Sequence, residues 1–257
     1  MKLPSALCTP VRLLFSLILW GAIASASRAD LFWQSAGYSD EQGITNGSSL
    51  TGGGTTFTYA TTIFSDFDGG TFDLSPGGNA SYISYEGGIL GSDTGYLELS
   101  FNNRNNDPAD YLELSLISSN PLQNVQFSLL GIDRSPGGNF SDAVEVFYNG
   151  INVRTNPSFF SFGTSVGLDD ESYMNGFEGI GTAAAGSTAG NLNFNFGSTF
   201  VNSLTIRYFT SDDSGNNPPN QTIGLGDLQF VAIPEPATMW CFFAALCLPC
   251  FATRRCR

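Results

Sequence analysis

Short runs of alternating apolar and polar residues dominate the middle of the chain, and no segment there has the pattern of a long amphipathic helix. The runs are 96–101, 111–116, 125–130, 143–148, 191–196 and 203–209. Alternation with period two places the apolar members on one face of a strand and the polar members on the other. Clusters of Gly, Asn, Asp, Pro and Ser separate the runs and are typical of turns. The pattern predicts an all-β fold: a single antiparallel β-sandwich or jelly roll over residues 30–233.

The same alternation predicts which charged side chains face outward from the sheet. Arg207 alternates with Ile206 and Tyr208 and is expected to face solvent. Glu98 and Glu113 share the local sequence Tyr-Leu-Glu-Leu-Ser, and both are expected on outward faces, where they can pair across strands. The Gly-, Ser- and Thr-rich stretch 179–190 is expected to be a mobile loop.

Residues 1–29 have the composition of a secretory signal peptide, and we expect them to form a signal helix before the β-sandwich. Lys2 and Arg12 provide a positive start, and the apolar run 13–24 follows. Both 24–26 and 27–29 fit a small-x-small cleavage site. The alternative is an uncleaved anchor, but the run is short for a membrane span, which needs about 20 residues.

The C-terminal residues 234–257 form a second segment with three distinct parts. A proline pair around a glutamate precedes an uncharged, mostly apolar stretch over 237–253, and arginines follow. Seventeen residues lie at the lower limit for a transmembrane helix. The arginines would stay on the cytoplasmic side, which places the body outside. The residues that define the two ends of this segment are Pro234, Glu235, Pro236, Arg254, Arg255 and Arg257.

This tripartite segment resembles the PEP-CTERM sorting signal of Gram-negative bacteria. The resemblance covers about 24 residues and implies that an exosortase recognises the signal, removes the tail and passes the protein to the cell surface or extracellular matrix. Pro249 and the abundance of Cys and Phe in the apolar stretch depart from the family, in which Gly is common there. The alternative is a permanent C-terminal anchor.

Charge and composition exclude several classes of function. The chain contains 23 acidic residues, 10 basic residues and no histidine. Residues 30–233 contain 22 acidic and 4 basic residues, a formal charge of −18, and no cysteine. Such a surface repels nucleic acid. The body lacks the residues for a Ser-His-Asp triad, a thiolate nucleophile or a Cys- or His-ligated metal site. We expect no enzymatic activity and no catalytic residues.

Calcium is the cofactor that best fits this inventory, because it takes oxygen ligands from carboxylates, amides and backbone carbonyls. Asp133 and Asp227 would join such a site only if the fold brought them together. The alternative is solvated acidic loops that keep the protein soluble. The candidate ligands are Asp66, Asp68 and Asp73 in one acidic stretch and Asp212 and Asp213 in another.

Exposed aromatic side chains are candidates for stacking on sugar rings. Trp33, Tyr38 and Tyr148 are the principal candidates, with Tyr85 and Tyr173 as further ones. The alternative is that these rings belong to the core.

The sequence therefore predicts a non-enzymatic exported protein of a Gram-negative bacterium. It would be anchored transiently in the inner membrane through its C-terminal segment, processed by an exosortase, and placed on the cell surface or in an exopolysaccharide matrix. Its role there would be adhesion or matrix structure, as in a biofilm. The alternative is a carbohydrate-binding module at the cell surface, suggested by fold analogy alone.

Overall fold

A computed structural model describes residues 28–65, 81–103, 105–169 and 175–233 of the 257-residue chain. These residues form sixteen β-strands and four single-turn 3₁₀ helices. The strands are β1 Ala29–Leu31, β2 Gln42–Gly43, β3 Ser49–Gly52, β4 Thr55–Phe64, β5 Ile83–Leu90, β6 Asp93–Phe101, β7 Tyr111–Leu130, β8 Asp142–Tyr148, β9 Ile151–Asn152, β10 Phe160–Phe162, β11 Val166–Leu168, β12 Phe177–Gly179, β13 Leu192–Asn195, β14 Val201–Thr210, β15 Gln221–Leu225 and β16 Leu228–Ala232. The 3₁₀ helices are Trp33–Ser35, Val153–Thr155, Pro157–Phe159 and Thr188–Gly190.

All strand pairs are antiparallel, and hydrogen bonds connect the strands into one continuous sheet. The prediction of an all-β antiparallel fold is confirmed. The alternating runs fall on strands β6, β7, β8, β13 and β14, and most of their apolar members are buried. Strand β4 was not predicted, because its many Thr residues weaken the apolar alternation.

The two runs 111–116 and 125–130 belong to one 20-residue strand, β7, rather than to two strands. Its buried positions are even-numbered in the first half and odd-numbered from Val125 to Leu129. The change of phase coincides with Pro121, which cannot donate to a ladder, and with Asn124, whose φ of 51° is left-handed. This irregularity turns the strand so that both halves face the same core.

The irregularity of β7 at Pro121 and Asn124 divides the sheet into two parts, one on each half of this strand. The first half of β7 pairs with β4 and β14, and β8 continues from β14. The second half pairs with β13 on one side and with β15 and β16 on the other, and β6 and β5 continue from β15. We call these the first arm and the second arm.

The inner faces of the two arms pack together in a sandwich-like arrangement. Phe57 of β4 meets Phe230 of β16 edge-on at 5.3 Å between ring centroids, and Phe101 of β6 meets Tyr208 of β14 at 4.6 Å. Each such buried aromatic side chain stabilises the fold by about 2–3 kcal/mol.

The helices predicted at the two ends, and all six sorting residues, lie outside the described residues. No helix within the described ranges combines the length and apolar character needed to span a membrane. Strand β1 begins at Ala29, one residue before the predicted boundary of the body, and pairs with β16.

Candidate functional site

Polar side chains line the outer face of the second arm in two cross-strand rows. Asn195, Gln126 and Gln229 occupy one row across β13, β7 and β16, because their registers match. Asn193 and Ser128 occupy the next row, and the Ser128 hydroxyl donates to Asn193 Oδ1 at 2.7 Å. All five side chains are partly or fully exposed. This face therefore presents a regular array of hydrogen-bond donors and acceptors.

An exposed phenyl ring stands beside this polar face. Phe32 follows β1 and is 46% exposed. Its neighbour Trp33 is fully buried and begins a 3₁₀ turn. The Trp33 indole N–H donates to the Gly226 carbonyl at 2.8 Å, and its backbone N–H donates to Asp227 Oδ1 at 2.9 Å. Trp33 thus anchors the turn, and this anchoring holds Phe32 outward.

Two carboxylates, those of Asp227 and Asp93, lie beside the turn that begins at Trp33. The Asp227 backbone N–H donates to Asp93 Oδ2 at 3.3 Å, and the Ser92 hydroxyl donates to Asp93 Oδ1 at 3.0 Å. Partial burial raises the pKa of Asp227, the Trp33 N–H opposes that rise, and the charges of Asp93 and Asp30 add to it. A Cβ at position 226 would collide with Asp93 Oδ2, so a larger residue there would displace the Asp93 carboxylate.

These groups line two adjoining cavities of about 300 and 430 Å³ that share Phe32 and Asp227. Together they form what we call the Phe32 groove. It combines an apolar ring face, amide and hydroxyl groups and two acids, which is the mixture of chemistry suited to a sugar ring and its hydroxyls. Its lining includes the polar and aromatic side chains of Phe32, Asp93, Gln126, Ser128, Asn193, Asp227 and Gln229.

A larger depression of about 1000 Å³ lies between loops elsewhere on the molecule. Five asparagines, two prolines and a glycine line it, with no aromatic ring and no charged group among them. Amides alone can bind hydroxyl groups, but the described residues that line this depression offer no ring face and no charged group. We therefore take the Phe32 groove as the candidate site, although it is smaller.

Three aromatic residues predicted to bind sugars lie in different environments. The expectation that Trp33 is exposed is wrong, because its ring fills the core beneath Gly226. Tyr38 is half-buried, and its hydroxyl lies 3.3 Å from that of Tyr59. Tyr148 is half-buried against Phe159 and Phe196. No ring contact in the described part of the chain joins the three predicted residues, so sugar stacking by Tyr38 or Tyr148 stays a prediction.

The predicted calcium ligands are only partly described. Asp66, Asp68 and Asp73 lie outside the described residues. Asp213 forms an ion pair with Arg134 at 2.7 Å, so its carboxylate already has a cationic partner. Asp133 accepts from the Ala183 N–H, whereas Asp227 lies in the Phe32 groove beside Trp33.

Asp212 shows no comparable cation contact among the described residues, and its backbone carbonyl accepts from the side-chain amide of Asn106. In the same described ranges, no three His, Cys, Asp or Glu side chains are grouped to hold a metal ion. Calcium binding by the acidic loops therefore stays a prediction.

Most groove residues were not predicted as a site, although signals for them exist. The alternating runs place Gln126, Ser128 and Asn193 on outward faces, but not beside one another. Phe32 precedes Trp33, and in an extended chain adjacent side chains point to opposite sides. A buried Trp33 therefore implies an exposed Phe32. The approach of Asp93 to Asp227 depends on tertiary pairing, which the sequence pattern does not reveal.

The chain matches no protein-family model, and a comparison with curated proteins gives no match either. Two solved structures are similar at a low level. One is a low-affinity xylan-binding module, CBM86, from Roseburia intestinalis: identity is 12%, coverage is 68% of this chain and 96% of that one, and the TM-score is 0.23. The other is the Agl-KA catalytic domain, at 13% identity, with coverage of 63% and 28% and a TM-score of 0.24. Scores this low assign neither a fold family nor a function.

Proposed function

We propose that this protein is an exported, non-enzymatic surface or matrix protein, with a jelly-roll-like β-sandwich body that binds polysaccharide. The Phe32 groove is the observation that supports the binding role. An exposed phenyl ring stands beside Gln126, Asn193 and Gln229, and two carboxylates line the same groove. The ring face would stack on a sugar ring, and the side-chain amides would exchange hydrogen bonds with its hydroxyls.

The arrangement is fixed before a ligand arrives, which favours binding. Trp33 anchors the turn beside Phe32 through two hydrogen bonds of 2.8 and 2.9 Å. Gln126 and Gln229 project from paired strands rather than from loops. Little conformational entropy is then lost when a glycan binds.

Affinity electrophoresis of purified full-length protein in gels containing defined polysaccharides tests this proposal. We expect at least one polysaccharide to retard the protein, and Phe32→Ala to weaken that binding about fivefold to tenfold through loss of the stacked ring. Phe200→Ala is the matched control, because Phe200 is 53% exposed but is not among the residues that line the groove. It should leave the binding unchanged.

Two results would contradict the groove as the binding site. Equal losses in Phe32→Ala and Phe200→Ala would indicate nonspecific adsorption to exposed rings. A loss confined to Asn217→Ala would place binding in the asparagine-lined depression instead. Reducing-end release measured on the same samples should stay at background, because we propose binding without hydrolysis.

We also propose delivery through the PEP-CTERM segment, with exosortase as the processing partner. Its support is the sequence of residues 234–257 and the position of the last strand. β16 ends at Ala232, and the Ile233 N–H donates to the Pro121 carbonyl at 2.8 Å. Because β16 is complete before Pro234, removal of the tail would leave every described strand intact.

Peptide mass spectrometry of protein from its native cells tests both ends at once. We expect a C-terminus near residues 234–236 and an N-terminus at Ser27. Cleavage after Ala26 preserves β1, whereas cleavage after Ala29 removes the residue that pairs with Phe230. A chain that retains Arg257 in the membrane fraction would mean a permanent anchor.

A further inference from the structure

The Phe32 groove is acidic, and no basic side chain of the described residues lines it. Asp93 and Asp227 are its charged lining residues, and neither forms an ion pair with a described basic residue. Asp30 adds further negative charge nearby, although it lies 3.6 Å from the Arg28 guanidinium. The whole chain has a formal charge of −13. Glycans that carry uronate, sulfate or phosphate groups are therefore repelled.

Both carboxylates are oriented by hydrogen bonds that leave acceptor capacity free. One oxygen of Asp227 accepts from the Trp33 N–H, and the two oxygens of Asp93 accept from Ser92 and from the Asp227 N–H. An ionised carboxylate has about four acceptor positions. Each of these groups can therefore accept from a further donor without losing the contacts that hold it.

The neighbouring groups restrict the chemical class of that donor. Gln126, Asn193 and Gln229 suit hydroxyl groups, and Phe32 presents an exposed ring that favours both a sugar face and a cation. A sugar with a primary ammonium group can contact the side-chain amides, the Phe32 ring and the carboxylates at once. A neutral sugar would leave the carboxylates without a cation, and an acidic sugar would oppose them.

We propose that the Phe32 groove selects polysaccharides with free amino groups, such as de-N-acetylated hexosamine polymers, over neutral, N-acetylated or uronate polymers. This inference rests on the proposed glycan-binding function and names its substrate class. The ammonium group would bind between Asp93 and Asp227 while the ring of the same or the next sugar stacks on Phe32.

Titration calorimetry with four hexasaccharides tests the selectivity. The ligands are the hexamers of glucosamine, N-acetylglucosamine, xylose and galacturonic acid, added to full-length protein in buffer containing a chelator. We expect the glucosamine hexamer to bind about tenfold or more tightly than the N-acetylated one, since each charge-assisted hydrogen bond adds selectivity on this scale. A requirement for added calcium would overturn the proposal, because a bridging metal would then supply the contact.

Variants separate a specific site from general attraction to an acidic protein. Asp93→Asn and Asp227→Asn keep an oxygen for the Asp227 and Trp33 N–H groups, so the local structure should persist. Each should reduce the preference for the glucosamine hexamer about tenfold. Asp212→Asn removes the same charge from a loop outside the groove and should leave the preference intact. Equal losses in all three variants would indicate nonspecific electrostatics and overturn the proposal.

The outcomes for this inference and for the proposed function are distinct. Equal binding of the xylose, N-acetylated and glucosamine hexamers, weakened by Phe32→Ala, would leave glycan binding in place and remove the amine selectivity. Tighter binding of the galacturonate hexamer than of the glucosamine hexamer would also remove the amine selectivity and leave glycan binding in place. Absence of binding to all four hexamers and to the polysaccharide gels would remove both.

Discussion

The outer faces of the two arms differ in how their charged side chains are paired. On the first arm, Arg207 lies in one cross-strand row between Glu113 and Glu145, at 2.8 and 3.5 Å from their carboxylates. Its guanidinium also lies 5.0 Å from the Tyr111 ring centroid and 4.8 Å from that of Phe147. We call this group the Arg207 row. On the second arm, Asp93 and Asp227 face a groove whose described lining contains no basic side chain.

The difference separates charges that stabilise the fold from charges that are free for a ligand. In the Arg207 row one cation satisfies two anions and stacks on aromatic rings, so little is left for a partner. In the Phe32 groove the anions repel one another, which opposes folding and favours an incoming cation. Outward-facing charge therefore marks a candidate binding site here only where the sheet does not neutralise it.

The largest effect is expected from removing the cation of the Arg207 row. Arg207→Ala should lower the free energy of unfolding by about 3 kcal/mol, because it leaves Glu145, whose side chain is only 7% exposed, without its counter-ion. Urea denaturation of the full-length protein measures the loss. Arg207→Lys should recover part of it, since a lysine keeps the charge but lacks the planar fork.

The comparison also predicts that glycan binding survives in the Arg207 variants that remain folded. A loss below about 0.5 kcal/mol in Arg207→Ala would show that the row behaves as an ordinary exposed ion pair. The contrast between the two faces would then disappear.

The sequence predicted strands β6, β7, β8, β13 and β14 and the outward position of Arg207, because a period of two is a local property of the chain. It could not predict the partners of Arg207, since Glu113 and Glu145 come from strands 94 and 62 residues away. The same limit applies to the groove. Gln126 and Asn193 were placed on outward faces, but their adjacency depends on how β7 and β13 pair.

Trp33 shows a different limit of sequence reasoning. Exposure was expected for a tryptophan near the start of the body, yet its ring is buried because the Gly226 carbonyl accepts its indole N–H. Residue type alone does not decide between core and surface when a polar group in the interior can satisfy the ring nitrogen. The neighbour, Phe32, then becomes the exposed ring.

A further acid, Asp142, is fully buried in the interior and gives the next largest expected effect. It accepts from the Tyr208 hydroxyl at 2.6 Å and from the Asp133 N–H at 3.2 Å. Burial raises its pKa to about 8. The folded state then holds a proton that the unfolded state has released, so stability is greatest at acidic pH and falls as the pH rises towards 8.

Denaturation of the full-length protein at a series of pH values from 4 to 9 tests this dependence. We expect a loss of about 2 kcal/mol or more over that range, most of which should vanish in Asp142→Asn. The variant will be less stable than the parent at acidic pH, because its amide nitrogen replaces an oxygen that accepts from Asp133. The slope against pH is therefore the readout, and Asp212→Asn, which alters an acid outside the core, should retain the parental slope. An unchanged slope in Asp142→Asn would assign the pH dependence to other acids.

The smallest expected effect gives the clearest contrast between the two faces, because the change in stability should have opposite signs. Asp227→Asn should raise the free energy of unfolding near pH 7 by about 0.5–1 kcal/mol, because it relieves repulsion from Asp93 and Asp30 while its oxygen still accepts from the Trp33 N–H. Glu145→Gln, the matched change in the Arg207 row, should instead lower stability, because it removes a partner of Arg207. Thermal unfolding of both variants at equal ionic strength compares the two signs directly. If Asp227→Asn were also destabilising, the Asp227 carboxylate would stabilise the fold, as those of the Arg207 row do. The inference that the groove binds a cationic sugar would then lose its support.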